Sequence, residues 1–230
     1  MRIRICYLIV LVSGVYLGSP AHACLQYPGR IFLTLDNCIE DISSETNSRI
    51  MRGLQGLVDF ASLVHVQEEM DQAKLQSGYY KGAILPGGYL RTKGKLISTI
   101  PRLIVLLEMG DDASKLAVLQ VLSDLEEKII FATPQLMDLA DTSYKELRVL
   151  DDRSSMTPDV EEGLTGSALS TMIIVYVRMI ISSFGYDVIP ILESLKYRYA
   201  DDDDMRRLIE DIILDINAPA GIRSVGRHLP

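Results

Sequence analysis

The chain has 230 residues and a formal charge of −8, with three cysteines, three histidines and no tryptophan. A negative chain is repelled by phosphate backbones, so nucleic acid is not expected as a partner. The few cysteines and histidines form no clustered set for zinc, and we predict neither a metal nor another cofactor.

The N-terminus has the order of a secretory signal peptide. Arg2 and Arg4 precede an apolar run, and Ala23 ends a cleavage site of mostly small residues. We therefore predict that residues 1–23 are removed and that residues 24–230 form a single exported domain, either periplasmic or secreted. A permanent anchor is disfavoured because the apolar run is shorter than the roughly 20 residues that span a bilayer.

Removal of the signal would leave two cysteines, Cys24 and Cys38. An even pair of cysteines in an exported chain predicts a disulfide. Cys24 would also be the first residue of the mature chain, where a bacterial lipoprotein carries its lipid, and a lipidated Cys24 would leave Cys38 without that partner. Two unrelated thiols are the remaining alternative.

Two contrasting segments follow the predicted cleavage site. Residues 24–42 include the β-friendly run Ile31-Phe32-Leu33 and predict a short extended N-terminal arm. From about Ser44 to Leu75, apolar residues recur at helical spacing, which predicts a long helix. Its remaining face is expected to carry the acidic residues Glu68, Glu69 and Asp71.

Residues 76–94 are rich in glycine and predict a long loop. Three tyrosines in it, Tyr79, Tyr80 and Tyr89, are candidate partner contacts, because an aromatic ring offers a large contact area for little ordering entropy. A packed connecting loop is the alternative. The glycine spacing matches no phosphate-binding motif.

The pattern Pro-x-Leu-x-x-Leu occurs three times, beginning at Pro101, Pro134 and Pro190. Proline suits the first turn of a helix, and Thr99 and Thr133 stand where N-caps would be useful. After the first and third occurrences, an acidic turn breaks the chain and a second apolar helix follows.

The segment from 100 to 125 resembles an armadillo or HEAT repeat, and the segment from 188 to 216 resembles the same unit more loosely. The resemblance implies an irregular stack of helical repeats. The unequal spacing of the three prolines leaves an ordinary helical bundle as the alternative. Both interpretations give an all-α fold after the short extended arm.

Thr157 and Pro158 mark a helix start that leads into an apolar run from Leu164 to Phe184. The middle of this run is apolar on all sides, which is typical of a buried central helix. A membrane span is the alternative, but Arg178 and several serines and threonines interrupt the run, so we predict no span in the mature form.

The chain carries no recognisable catalytic set. His65 stands alone on the predicted long helix, and no nucleophile motif is present. The acidic residues cluster at helix ends, where carboxylates stabilise helices in any case. The longest acidic run consists of Asp201, Asp202, Asp203 and Asp204.

We interpret that run as a candidate acidic partner site and as the cap of the following helix, with Asp203 or Asp204 as the capping residue. Calcium is an alternative ligand for four successive carboxylates, but the run lacks the alternating order of an EF-hand.

The chain is predicted to be exported, acidic and helical, and it has no recognisable catalytic residues. We therefore predict a non-catalytic protein that binds another protein, and an acidic surface favours a basic partner. One concrete version is a periplasmic immunity or inhibitor protein that blocks a toxin or cell-wall hydrolase. The alternatives are a carboxylate-dependent extracytoplasmic enzyme acting on a glycan, since such carboxylates need no local motif, and a secreted effector or envelope scaffold.

Overall fold

The computed structural model describes residues 34–76, 88–154 and 160–218. The chain divides into two units, Met1–Thr34 and Leu35–Pro230, and every described residue except Thr34 belongs to the second. All regular elements in the described ranges are helical, which confirms the all-α class. The predicted signal peptide, its cleavage site and the run 31–33 lie outside the described residues.

Eight α-helices follow one another in the described ranges. They are α1 (Leu35–Asp41), α2 (Asn47–Gln76), α3 (Gly88–Met109), α4 (Asp112–Leu125), α5 (Thr133–Ser154), α6 (Val160–Ser183), α7 (Ile189–Arg198) and α8 (Asp203–Asn217). Short 3₁₀ turns at Ile130–Ala132 and Gly185–Val188 lead into α5 and α7. The long helix expected from about Ser44 to Leu75 is therefore confirmed as α2.

Helix α1 occupies residues that we expected to be extended, so the predicted arm is wrong for its last part. Leu35, Cys38 and Ile42 are all buried, and their spacing of three and four residues places them on one helical face. This face packs on α2 at Gly53 and Gly56, where the absence of a Cβ allows close approach.

Cys38 is fully buried at this contact. Its predicted disulfide partner, Cys24, lies outside the described residues, so the bridge stays a prediction. Gly56 lies directly against the Cys38 Sγ, which shows that the thiol is directed toward α2.

A buried carboxylate also joins α1 to α2. Asp41 accepts hydrogen bonds from Arg49 Nε at 2.9 Å and from Arg52 Nε at 2.7 Å, and its side chain is only 3% exposed. Burial alone would raise the pKa of Asp41, but the hydrogen bonds from Arg52 and Arg49 lower this pKa below its usual value. The charged form of Asp41 is therefore stable inside the contact.

The glycine-rich segment and Pro101 are where the sequence interpretation fails most clearly. Residues 88–94 were expected in a loop but form the first turns of α3. Pro101 therefore lies inside the helix instead of at its start. Thr99 is buried and donates to the Leu96 carbonyl at 2.7 Å, so it is not an N-cap.

The other predicted helix boundaries agree better with the structure. Asp111, in the first acidic turn, caps α4 by accepting a hydrogen bond from the Ser114 backbone N–H at 2.8 Å. Pro134 and Pro190 each lie in the first turn of a helix, as expected. Thr133 is not an N-cap, because it has helical backbone angles and donates to the Ile130 carbonyl of the preceding 3₁₀ turn.

The core forms where α4 and α6 meet their neighbours. α4 packs against α2, α3 and α6, and α6 packs against α4, α5 and α8. Ile173, Val177 and Ile181 of α6 are buried, in agreement with its predicted central position. Among the described residues, one stretch, Gly166–Ser183 in this helix, is long and apolar enough to cross a membrane.

The two predicted units of helix, acidic turn and helix are present as α3 with α4 and α7 with α8, and the helices of each unit pack together. The described helices do not decide between a repeat stack and a bundle, so the resemblance to armadillo or HEAT repeats stays a prediction.

Candidate functional site

The acidic turn before α8 is the first predicted site. Asp202 caps α8, since its Oδ1 accepts hydrogen bonds from the backbone N–H groups of Asp204 and Met205, both at 3.1 Å. The prediction that Asp203 or Asp204 caps this helix is wrong. Asp202 is the residue with extended backbone angles, which are the angles that an N-cap needs, whereas the next two residues are already helical.

Arg148 of α5 compensates part of the charge of this turn. Its Nη2 donates to Asp202 Oδ1 at 2.9 Å and to Asp204 Oδ2 at 2.6 Å. The hydrogen bond from Arg148 lowers the pKa of Asp202 below its usual value, and the two carboxylates raise the pKa of Arg148. This network fastens α8 to α5.

Asp201 and Asp203 are the exposed members of the turn. Asp203 pairs with Arg206 at 2.7 Å, so the turn presents less uncompensated charge than its sequence suggests. Its use as a partner site stays a prediction. No group of three or more His, Cys, Asp or Glu side chains in the described ranges could hold a metal ion.

Of the three candidate tyrosines, Tyr79 and Tyr80 lie outside the described residues. Tyr89 is the second residue of α3 and is half-buried, so it belongs to a helix and not to a loop.

An open cleft of about 420 Å³ lies between α5 and α6 and bears on the alternative of a carboxylate enzyme. Its walls include two acidic side chains, Asp112 and Glu146. Asp112 binds Lys115 at 3.1 Å, and Glu146 accepts a hydrogen bond from Ser170 at 3.0 Å. These contacts give both carboxylates a structural role in the cleft, and the alternative of a carboxylate enzyme stays a prediction.

A second acidic cluster surrounds the half-buried His65 on α2. Its imidazole lies between two carboxylates, with Nε2 3.7 Å from Glu69 Oε1 and Nδ1 3.8 Å from Glu126 Oε1. Lys93 of α3 binds Glu68 at 2.9 Å and lies 3.7 Å from Glu127. The cluster thus joins α2, α3 and the segment that follows α4.

Ser62 and Asp124 lie in the same cluster, but they do not form a catalytic triad with His65. Ser62 Oγ donates to Asp124 Oδ2 at 2.6 Å instead of to the imidazole, so the nucleophile–base hydrogen bond of a hydrolase is not made. Burial raises the pKa of Asp124, although Ser62 and His65 partly oppose this rise.

Glu126 follows the last residue of α4 and has an unusual backbone conformation. Its φ of 52° and ψ of 24° are left-handed helical, and it is the only residue other than glycine with a positive φ in the described ranges. Glycine or asparagine usually occupies this position at the end of a helix. Here the left-handed residue is a glutamate whose side chain is 62% exposed.

An exposed apolar stripe runs along α2 beside this cluster. It consists of Leu63, Val66 and Met70, which are 66%, 51% and 48% exposed. Their spacing of three and four residues places them on one face of the helix. We did not single out this stripe from the sequence, because the spacing alone does not show which apolar residues of α2 stay exposed.

Asp71 also differs from the prediction. We expect it on the face that the apolar residues leave, with Glu68 and Glu69, but it is buried and accepts a hydrogen bond from Gln67 Nε2 at 3.0 Å.

Comparison of the chain with known protein families, curated proteins and solved structures found no match. The function proposed below therefore rests on the residues and contacts of this chain alone.

Proposed function

We propose that this protein is an exported, non-catalytic helical protein that binds a basic protein partner. The observation that carries the proposal is the exposed apolar stripe on α2 beside a dense group of carboxylates. Apolar side chains supply binding free energy when they are buried by a partner, and carboxylates favour a partner of positive charge.

The charge of the chain also supports a basic partner. Loss of the predicted signal peptide would remove Arg2 and Arg4 and no acidic residue, so the formal charge would change from −8 to −10.

In its most specific form, the proposal makes this chain a periplasmic immunity or inhibitor protein that blocks a basic toxin or cell-wall hydrolase. Export follows from the signal-like order of residues 1–23. The intact mass of the protein recovered from its source cells tests export. The expected mass corresponds to cleavage after Ala23 and to loss of two hydrogens for a Cys24–Cys38 bridge, whereas lipid on Cys24 would add the mass of its acyl chains.

Partner binding is tested by expressing the full chain with a C-terminal affinity tag in its source organism and capturing it from the cell envelope. An unrelated exported protein of similar negative charge serves as the control, since it retains proteins that bind acid non-specifically. One stoichiometric basic partner that survives a moderate salt wash on this chain and not on the control is the expected result. Identical profiles on both baits would refute the proposal.

The immunity version makes a narrower prediction. Cells that express the chain should survive exposure to the captured partner, and an inhibitor should reduce the hydrolytic activity of that partner in proportion to the complex formed. A captured partner whose activity is unchanged by the complex would contradict this version and leave partner binding in place.

A further inference from the structure

The stripe on α2 is suited to contact with another helix. Leu63, Val66 and Met70 span seven residues, which is about 10 Å along the helix axis. The opposite face of α2 packs against α1, α3 and α4, so the stripe is directed away from the core. Single exposed apolar residues are common on protein surfaces, but three on one helical face form a continuous contact surface.

Glu69 borders one side of this stripe, and Glu126 lies near Glu69, so these two carboxylates form an acidic border. Glu69 follows Val66 by three residues and adjoins Met70 in the sequence, which places it next to the stripe on the helix. Glu126 approaches from the end of α4, and both carboxylates lie within 3.8 Å of a nitrogen of His65. The C-terminus of α4 adds the negative end of a helix dipole at Glu126.

The stripe and its acidic border complement a helix that has one apolar face flanked by basic residues. Resting on the protein-binding function above, we propose that this face of α2 binds an amphipathic basic helix of the partner. Leucine-like side chains of that helix contact Leu63, Val66 and Met70, and its Lys or Arg side chains pair with Glu69 and Glu126. A second copy of this chain is a poorer occupant, since it would bring more negative charge to the same surface.

The surface is tested with a synthetic peptide of leucine and lysine that forms an amphipathic helix of about five turns. A peptide of the same composition in scrambled order, without an apolar face, is the matched ligand. Fluorescence anisotropy with the full chain measures both affinities. We expect the amphipathic peptide to bind more tightly, and equal affinities would overturn the proposal.

Variants then locate the site. Leu63→Gln combined with Met70→Gln removes two of the three apolar side chains of the stripe while keeping good helix formers at both positions, and it should weaken peptide binding by at least about tenfold. Leu214→Gln is the matched control, because Leu214 is also 66% exposed and lies between Asp211 and Asp215 on α8. Equal losses for the double variant and for Leu214→Gln would overturn the proposed location.

The salt dependence of peptide affinity tests the acidic border, Glu69 and Glu126. Glu69→Gln combined with Glu126→Gln should reduce the dependence of peptide affinity on salt, because two screened charge pairs are lost. An unchanged salt dependence would contradict the pairing. Sedimentation of the wild-type chain tests the other occupant, and a dimer that dissociates in the Leu63→Gln, Met70→Gln variant would show that a second copy covers the face.

Capture of the partner with the wild-type chain and with the Leu63→Gln, Met70→Gln variant distinguishes the docking face from the proposed function. Loss of the partner from the Leu63→Gln, Met70→Gln variant supports both. Retention of the partner by that variant overturns the docking face and leaves protein binding standing. Capture of no specific partner refutes the proposed function, and the docking face fails with it.

Discussion

Replacing Gly53 with alanine should destabilise this protein, although alanine is the better helix former. α1 crosses α2 at Gly53, and a Cβ there would lie 2.7 Å from the Cys38 carbonyl oxygen and 2.9 Å from the Ile42 backbone nitrogen. Backbone atoms cannot move aside as a flexible side chain can. The whole of α1 would therefore have to shift, together with the ion pairs of Asp41.

Two opposing contributions set the magnitude. Glycine in the middle of a helix costs about 1 kcal/mol relative to alanine, so the substitution gains that amount from propensity alone. Overpacking of a tight contact costs about 1–3 kcal/mol. We expect a net loss of about 1 kcal/mol, which for a domain of this size lowers Tm by about 2–4 °C.

Gly94→Ala is the matched control, because Gly94 lies inside α3 and a Cβ there would meet no atom within 4 Å. This variant should gain up to about 1 kcal/mol. Urea unfolding followed by circular dichroism measures the free energy of unfolding of both variants. If Gly53→Ala stabilises the protein as much as Gly94→Ala, the close contact between α1 and α2 is not made in solution.

Three further predictions concern Gly56, Glu126 and Asp124. Gly56→Ala should destabilise the protein because its Cβ would clash with Cys38 Sγ, and Cys38→Ala should recover part of that loss, which a double-mutant cycle measures as a coupling free energy. Glu126→Gly should raise the free energy of unfolding by up to about 1 kcal/mol, because glycine adopts a positive φ without strain, whereas Glu126→Ala should not. Burial raises the pKa of Asp124 in the folded state, so the folded protein binds the carboxyl proton of Asp124 more tightly than the unfolded chain does. The free energy of unfolding therefore falls as the pH rises from the unfolded pKa through the raised folded pKa. Asp124→Asn should remove that contribution, so the difference in unfolding free energy between this variant and the wild type should change as the pH rises above about 3.9, the pKa of an unfolded Asp. A difference that is constant with pH would contradict the reasoning.

The sequence predicted most of the helices because their apolar residues repeat with helical spacing. α2 and α6 are long, and their spacing persists over many turns, which makes the pattern hard to mistake. The start of α3 was missed because local residues outweighed the longer pattern. Gly88, Gly94 and Pro101 disfavour a helix, but buried Leu96 and Leu103 hold α3 against its neighbours.

The candidate sites were less predictable because long-range pairing decides them. Four successive aspartates suggest an exposed acidic surface, but Arg148 lies 54 residues before Asp202 and compensates part of the charge. Nothing local in the sequence indicates that pairing. The stripe on α2 is the opposite case, since its spacing was visible but only the fold shows which apolar residues of α2 stay exposed.

Glu126 is expected to lower the free energy of unfolding and to strengthen binding of the basic peptide. Its left-handed backbone costs free energy that glycine would not, yet the same conformation holds a carboxylate beside His65. Glu126→Gly should therefore raise the unfolding free energy while it weakens binding of the amphipathic basic peptide. Glu126→Gln separates the two effects, because it keeps the strained backbone and removes only the charge. If Glu126→Gly raises stability and leaves peptide affinity unchanged, the strain at this position is unrelated to the acidic border, and the binding contribution must come from Glu69 and the stripe alone.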